Sequence, residues 1–288
     1  MTFSSIASIF SIELRQHYRS RRTVVTVTIV TFVCTNLSFN ALRVTDVARG
    51  RQLGTHDQFY LRSIGNDLFF PVMASVSTLQ LFLVCFATLL GAGTIVGGRE
   101  DGTLRTHQSL PVGRRAVFLG HVLARLTVVA TVLAIVYGLT LVQAYRSGLT
   151  PSLTTGVTFI GVVVVHLAGF VVVGVALSTI RRRRSVVFAA ALVAAVGLLL
   201  VSLPLSMVSP RLTLIGPGPI FSTLVASLDD RVYTAFQVAH GGGSTAVNFT
   251  VVEIPFYAST SAALLSQALW IVIPTVSGLI RYERCDIN

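Results

Sequence analysis

Lysine is absent from this 288-residue chain, and all 22 of its basic residues are arginine. A phosphate-binding loop of the G-x-x-x-x-G-K-[ST] type needs a lysine to reach the terminal phosphates, and a Schiff-base enzyme needs a lysine amine, so both are excluded. Charge is scarce as well, at 11% of residues, against roughly 25% in an ordinary soluble domain. Cysteine is confined to Cys34, Cys85 and Cys285, with no C-x-x-C pair and no cysteine and histidine cluster. That argues against a disulfide framework and against a zinc site. The sequence also lacks H-E-x-x-H, G-x-S-x-G and paired aspartates within apolar runs, which makes an intramembrane enzyme a distant reading. Residues 1–22 do not read as a cleavable signal, because their positive charges follow the apolar residues instead of preceding them.

What the chain has is apolar surface: 53% of residues are hydrophobic and the mean hydropathy is +0.77. At about 20 apolar residues per crossing, it holds room for about six spans and little else. The fold expected is therefore an all-α membrane protein of six transmembrane helices, at residues 23–42, 69–96, 122–144, 155–179, 185–207 and 259–280. Ahead of them, Phe3, Ile6, Ile9, Phe10 and Leu14 recur at helical spacing with Ser4, Ser8, Ser11 and Glu13 between them. This predicts an amphipathic N-terminal helix within residues 1–22 lying in the membrane interface. Pro210, Pro217, Pro219, Gly241 to Gly243 and Pro255 prevent the segment 208–258 from being one continuous helix, and Ile220 to Leu228 suit a short interfacial one.

Orientation follows from arginine. The N-terminus, the loop 97–121, the block Arg181 to Arg184 and the tail carry 14 arginines, the opposite loops carry 7, and Arg125 at a span edge is counted with neither. The richer side is expected to be cytoplasmic, with both termini inside a multi-pass protein of the cell membrane. The basic balance is then a property of span ends, and nucleic acid is not an expected partner.

Within the spans, ion-coupled transport would call for ionisable residues, and His166 is the mid-span candidate. It reads either as a proton relay or ligand, or as a neutral imidazole bonded to a neighbouring helix. Thr28, Thr31, Thr35 and Ser38 form one stripe along the first span, which either lines a pathway or hydrogen-bonds helices together. Ala190 and Ala194, like Ala191 and Ala195, stand at small-xxx-small spacing, suited to close approach within the chain or between two copies. Asn248-Phe249-Thr250 fits a glycosylation sequon on the outer side, a pattern that often arises by chance.

The loop 97–121 is the most informative polar stretch. Glu100 and Asp101 suit the N-terminus of a short helix, Asp101 or Thr103 its cap, and Pro111 its stop. Its run GGREDGTLRTHQSLPVGRRAVFLGHVLAR resembles the signature that follows the second span of ABC-2 type transporter permeases. The match lies in Arg99, Glu100, Gly102, Thr103, Leu104, Pro111, Arg114, Leu119 and Gly120, with His121 where the family often has lysine and Gly98 where a second glutamate is common. The resemblance extends to the N-terminal helix, the six spans, the long outer segment and the charged tail. It implies an ABC-2, type V exporter-like architecture, with the short loop helix coupling to a separate ATP-binding subunit. Arg99, Glu100, Asp101, Gly102, Thr103, Leu104, Pro111 and Arg114 would then make that contact. It also implies two permease chains over two ATPases, as a homodimer or heterodimer, with Ala190 and Ala194 a candidate contact. No cofactor is expected on this chain, and ATP is used by the partner. A membrane scaffold or assembly protein of the same ancestry, without transport, is the second reading.

Overall fold

The computed structural model describes residues 3–50, 69–100, 102, 113–146, 153–180, 183–208, 215–228 and 259–284. The elements within them are all helices: α1 (Phe3–Arg19), α2 (Arg21–Gly50), α3 (Phe69–Glu100), α4 (Arg114–Arg146), α5 (Leu153–Ile180), α6 (Arg184–Val208), α7 (Pro217–Ala226) and α8 (Thr260–Arg284). A helix satisfies its own backbone, and lipid offers that backbone no other partner, so long apolar runs have no competing conformation. Among the described residues, four helical stretches are long and apolar enough to cross a membrane: Gln80–Glu100, Arg114–Arg146, Leu153–Ile180 and Thr260–Arg284. The first and fifth expected spans fall on shorter apolar stretches, Thr23–Asn36 and Arg184–Leu200.

Helix ends differ from span ends. The third span was bounded by hydropathy at 122–144, yet α4 begins at Arg114 and runs to Arg146. Likewise α2 continues to Gly50 through Arg43, Asp46 and Arg49. Hydropathy marks where a helix meets lipid, whereas backbone hydrogen bonding carries the same helix on into water.

The core is built on α3 and α5, which approach so closely that their backbones touch. A Cβ on Gly174 would overlap the carbonyl of Thr88, and one on Gly91 would overlap the carbonyl of Val171. Lipid tails are as apolar as leucine, so helices in a bilayer gain from close van der Waals contact, and glycine permits the closest. Around this axis, α6 turns Ala191 inward to Ala92, Val96 and Val187. Ala195 is also buried, whereas Ala190 faces outward and Ala194 is half-buried. Of the two alanine stripes, then, one packs within the chain and the other looks out. Most of the apolar side chains of α8, among them Leu265, Leu269, Val272 and Ile273, are exposed.

A helix does form where one was expected over Ile220 to Leu228. It is α7, starting at Pro217, and it buries Ile220, Phe221, Leu224 and Val225. Trp270 Nε1 on α8 donates to the Ile215 carbonyl at 3.1 Å, and the Phe221 ring lies 4.6 Å from that of His166, midway along α5. So α7 dips beside the middle of the bundle, because its four apolar residues on one face find partners there. His166, only 2% exposed, brings Nδ1 to 3.3 Å from Gln267 Oε1 on α8, and Gln267 Nε2 donates to the Val165 carbonyl at 3.3 Å. This is the contact of the helix-bonded reading, and Gln267 is a partner the sequence did not single out.

The hydroxyl stripe of α2 divides. Thr28 is exposed and donates to the Val24 carbonyl of its own helix at 2.8 Å. The Thr31 and Thr35 hydroxyl oxygens are buried without a hydrogen-bond partner. The side chain of Ser38 and all of Asn248 lie outside the described residues.

The glycine contact makes a direct test. Gly174→Ala forces a methyl into the Thr88 carbonyl and is expected to cost about 1 to 3 kcal/mol, seen as a lower unfolding midpoint in detergent. Gly138→Ala, where a Cβ meets nothing within 4 Å, should leave that midpoint unchanged.

Candidate functional site at the arginine-rich end of the bundle

The polar contacts between helices gather at the end of the bundle where α3 stops and α4 starts. Arg99 and Glu100 form the last turn of α3. Gly102 follows with φ of 71° and donates its amide to the Arg99 carbonyl at 3.3 Å. This left-handed conformation is open to glycine at little cost, and it closes a helix by satisfying a terminal carbonyl. Glu100 is thus the last residue of α3, and whether a loop helix starts beyond it falls outside the described residues. Its acidic side chain serves the N-terminus of another helix: Glu100 Oε1 accepts the backbone amide of Arg184, the first residue of α6, at 3.1 Å. It fills an orphan donor there and meets the positive end of the α6 dipole. Asp101, Thr103, Leu104 and Pro111, with the short loop helix predicted around them, lie outside the described residues.

Just ahead of α4 the Gly113 carbonyl accepts the amide of Ala116 at 2.9 Å. Arg114 Nη1 then donates to the Glu283 carbonyl at 2.6 Å. Arg115 grips the Glu283 carboxylate with Nε on Oε1 and Nη2 on Oε2, the two-pronged geometry that guanidinium favours. Beside this clasp Tyr282 is fully buried, its ring 6.0 Å from that of Phe118. The start of α4 is therefore pinned to the end of α8.

A third contact was missed in the sequence. Helix α1 packs along α4, with Ile9 seated on Gly120, where a Cβ would come within 2.7 Å of the Ile9 side chain. One turn later Glu13, placed by its polarity on the outer face of α1, points inward and is 5% exposed. Its Oε2 lies 3.1 Å from His121 Nδ1 and 4.0 Å from Arg125 Nη2. Arg125 Nε donates to Thr94 Oγ1 on α3 at 3.2 Å, and the Tyr18 hydroxyl meets Thr131 Oγ1 at 3.1 Å. A buried carboxylate is tolerated beside a guanidinium that compensates it. The available signal was spacing: Ile9 and Glu13, like His121 and Arg125, stand four residues apart and so share a helix face.

These contacts are mechanical in kind. Among the described residues no group of three or more His, Cys, Asp or Glu side chains stands where it could hold a metal ion. Comparison with protein families matches residues 7–287 to the model described as ABC-2 family transporter protein. The chain belongs to this family. Comparison with curated proteins gives no match. Because the match spans almost all of this ABC-2 permease, it takes in the three clasps together: Glu100 with α6, Arg114 and Arg115 with α8, and Glu13 with α4.

Removing the carboxylate of Glu13 leaves Arg125 buried without compensation. For this permease Glu13→Ala is expected to cost about 3 to 5 kcal/mol, read from unfolding of the purified protein in detergent. Combining it with Arg125→Met should recover part of that loss. Strict additivity of the two substitutions in the double-mutant cycle would count against a direct interaction.

Proposed function

We propose that this chain is the membrane-spanning permease subunit of an ATP-driven exporter in the cell membrane, with six spans and both termini at the cytoplasmic, arginine-rich side. It forms the substrate pathway together with a second permease copy, and a separate ABC ATPase supplies the energy. The observation that carries this reading is the bracketing of residues 101–112. On one flank Glu100 joins α3 to α6, and on the other Arg114 and Arg115 join α4 to α8. An ATPase docked on that segment, through Arg99, Glu100, Asp101, Gly102, Thr103, Leu104, Pro111 and Arg114, moves four helices at once. Rigid helices joined at their ends turn a local push into a rearrangement of the whole bundle. The face of α6 that carries exposed Ala190, with half-buried Ala194 one turn on, suits the contact with the second copy. The chain itself takes no part in hydrolysis, since it has no lysine for a phosphate loop.

The decisive experiment is Glu100→Ala in the permease purified with its ATPase and reconstituted. Losing one exposed charge near a helix terminus costs about 0.3 to 1 kcal/mol, so insertion and folding should survive. The expected result is an intact permease that no longer stimulates its ATPase. Normal copurification together with full transport would falsify the coupling role. Topology is checked separately by reporter fusions: a cytoplasmic signal is expected after Asn288 and an external one within residues 240–246. The purified chain alone should show no specific labelling by a photoreactive ATP analogue.

A further inference from the structure

Helix α8 runs through Pro274, just past its middle. Proline carries no amide hydrogen, so the carbonyl of Trp270, four residues back, loses its intrahelical donor, and the proline ring crowds that same carbonyl. Lipid offers no replacement for the lost bond. The turn beyond is supported instead by hydroxyls: Thr275 Oγ1 donates to the Ile271 carbonyl at 2.6 Å, and Ser277 Oγ donates to the Pro274 carbonyl at 3.1 Å. Side-chain bonds of this kind compete with the backbone ladder and bend helices. The Trp270 carbonyl lies toward α5 at Gly169, where a Cβ would stand 3.6 Å from it.

The two sides of Pro274 are held by different neighbours. In the N-terminal half, Ala263 packs with Ile220 and Leu224 of α7, and Gln267 bonds to His166 and to the Val165 carbonyl of α5. The Trp270 indole there holds the Ile215 carbonyl just ahead of α7. In the C-terminal half, Gly278 is seated between Ala176 of α5 and Phe118 of α4, and Tyr282 meets Phe118. Glu283 is then clasped by Arg114 and Arg115 at the start of α4. Leu265, Leu269, Val272, Val276 and Ile280 are exposed along α8 on both sides of the proline, which leaves room for a bend.

We propose that Pro274 is a hinge dividing α8 into a C-terminal half that moves with the start of α4 and an N-terminal half that stays with α5 and α7. One missing main-chain bond lowers the resistance to bending at a single turn, while each half remains ordinary helix. Movement of the end held by Arg114 and Arg115 is then absorbed at Pro274. The contact of Gln267 with His166, and the hold of Trp270 on the start of α7, keep their register. The hinge stands independently of the transport reading, since it is measured in this chain alone and needs neither an ATPase nor a substrate.

The test measures distances by pulsed electron spin resonance in the full-length chain, reconstituted in lipid nanodiscs and diluted with unlabelled chain so that each distance lies within one molecule. Spin labels on genetically encoded ketone side chains leave the cysteines in place. One pair replaces Leu265 and Ile280, exposed on either side of Pro274, and the other replaces Leu123 and Leu139, exposed on α4, which contains no proline. Straight helices would place them about 22 Å and about 24 Å apart. The pair spanning Pro274 should give a distribution about twice as broad as the pair in α4. Pro274→Ala, which returns a donor to the Trp270 carbonyl, should narrow it to the α4 width. Thr275→Val removes the hydroxyl bond to Ile271 and should broaden it further. A distribution across Pro274 no broader than that of α4, or one that Pro274→Ala leaves unchanged, overturns the hinge. If Pro274→Ala inserts poorly, Thr275→Val is read in its place, and an unchanged width there overturns the hinge as well.

Discussion

The burial of Glu13 against His121 and Arg125 is the interaction on which the arrangement of this end of the molecule depends. A short amphipathic helix has no strong reason to hold one position on a bundle, because its apolar face is satisfied equally by lipid. A buried carboxylate changes that. Once desolvated it is stable only where a guanidinium meets it, and Arg125 offers that at one place along α4. The same guanidinium also reaches Thr94, so the position of α1 is tied to α3 as well as to α4. The seating of Ile9 on Gly120 then sets the distance between the helices, and the charge sets their register.

The rest of the bundle follows a related logic of scarcity. In lipid, burying an apolar side chain against another helix gains little over leaving it in the bilayer, so contact density and the few polar groups decide the packing. Gly91 and Gly174 bring α3 and α5 to backbone contact. Gln267 joins α8 to α5 through His166 and the Val165 carbonyl. Trp270 holds Ile215 and with it the start of α7. Where no such group intervenes, as along the outer face of α8, the apolar side chains stay exposed.

The clasps at the arginine-rich end differ from these in strength and purpose. Glu100 with the Arg184 amide, and Arg115 with Glu283, are exposed contacts, and exposed ion pairs add little to stability. Their value is geometric. They join helix ends at the surface, Glu100 tying the end of α3 to the start of α6 and Arg115 tying the start of α4 to the end of α8. The Glu13 cluster, being buried, is the firmer joint of the three.

The residue pattern alone determined that the chain is a helical membrane protein, because hydropathy and scarce charge leave no other stable form for its backbone in lipid. It also determined the end at which arginine gathers and the presence of an ABC-2 signature after the second span. Helix ends were less legible: α4 starts at Arg114 and α3 ends with Glu100, since hydrogen bonding carries helices beyond their apolar runs. The tertiary structure alone decided which polar residues face inward. Glu13 reads as a surface residue of α1, Arg125 as the edge of a span and Gln267 as one polar residue in an apolar helix. Each acquires its role from a partner about a hundred residues away, or close to it, in the chain. Local patterning records which face a residue shares with its neighbours, but only packing brings together two faces from distant helices. Glu100 shows the same limit, for its charge suits a helix N-terminus as expected, and packing chose α6 as that helix.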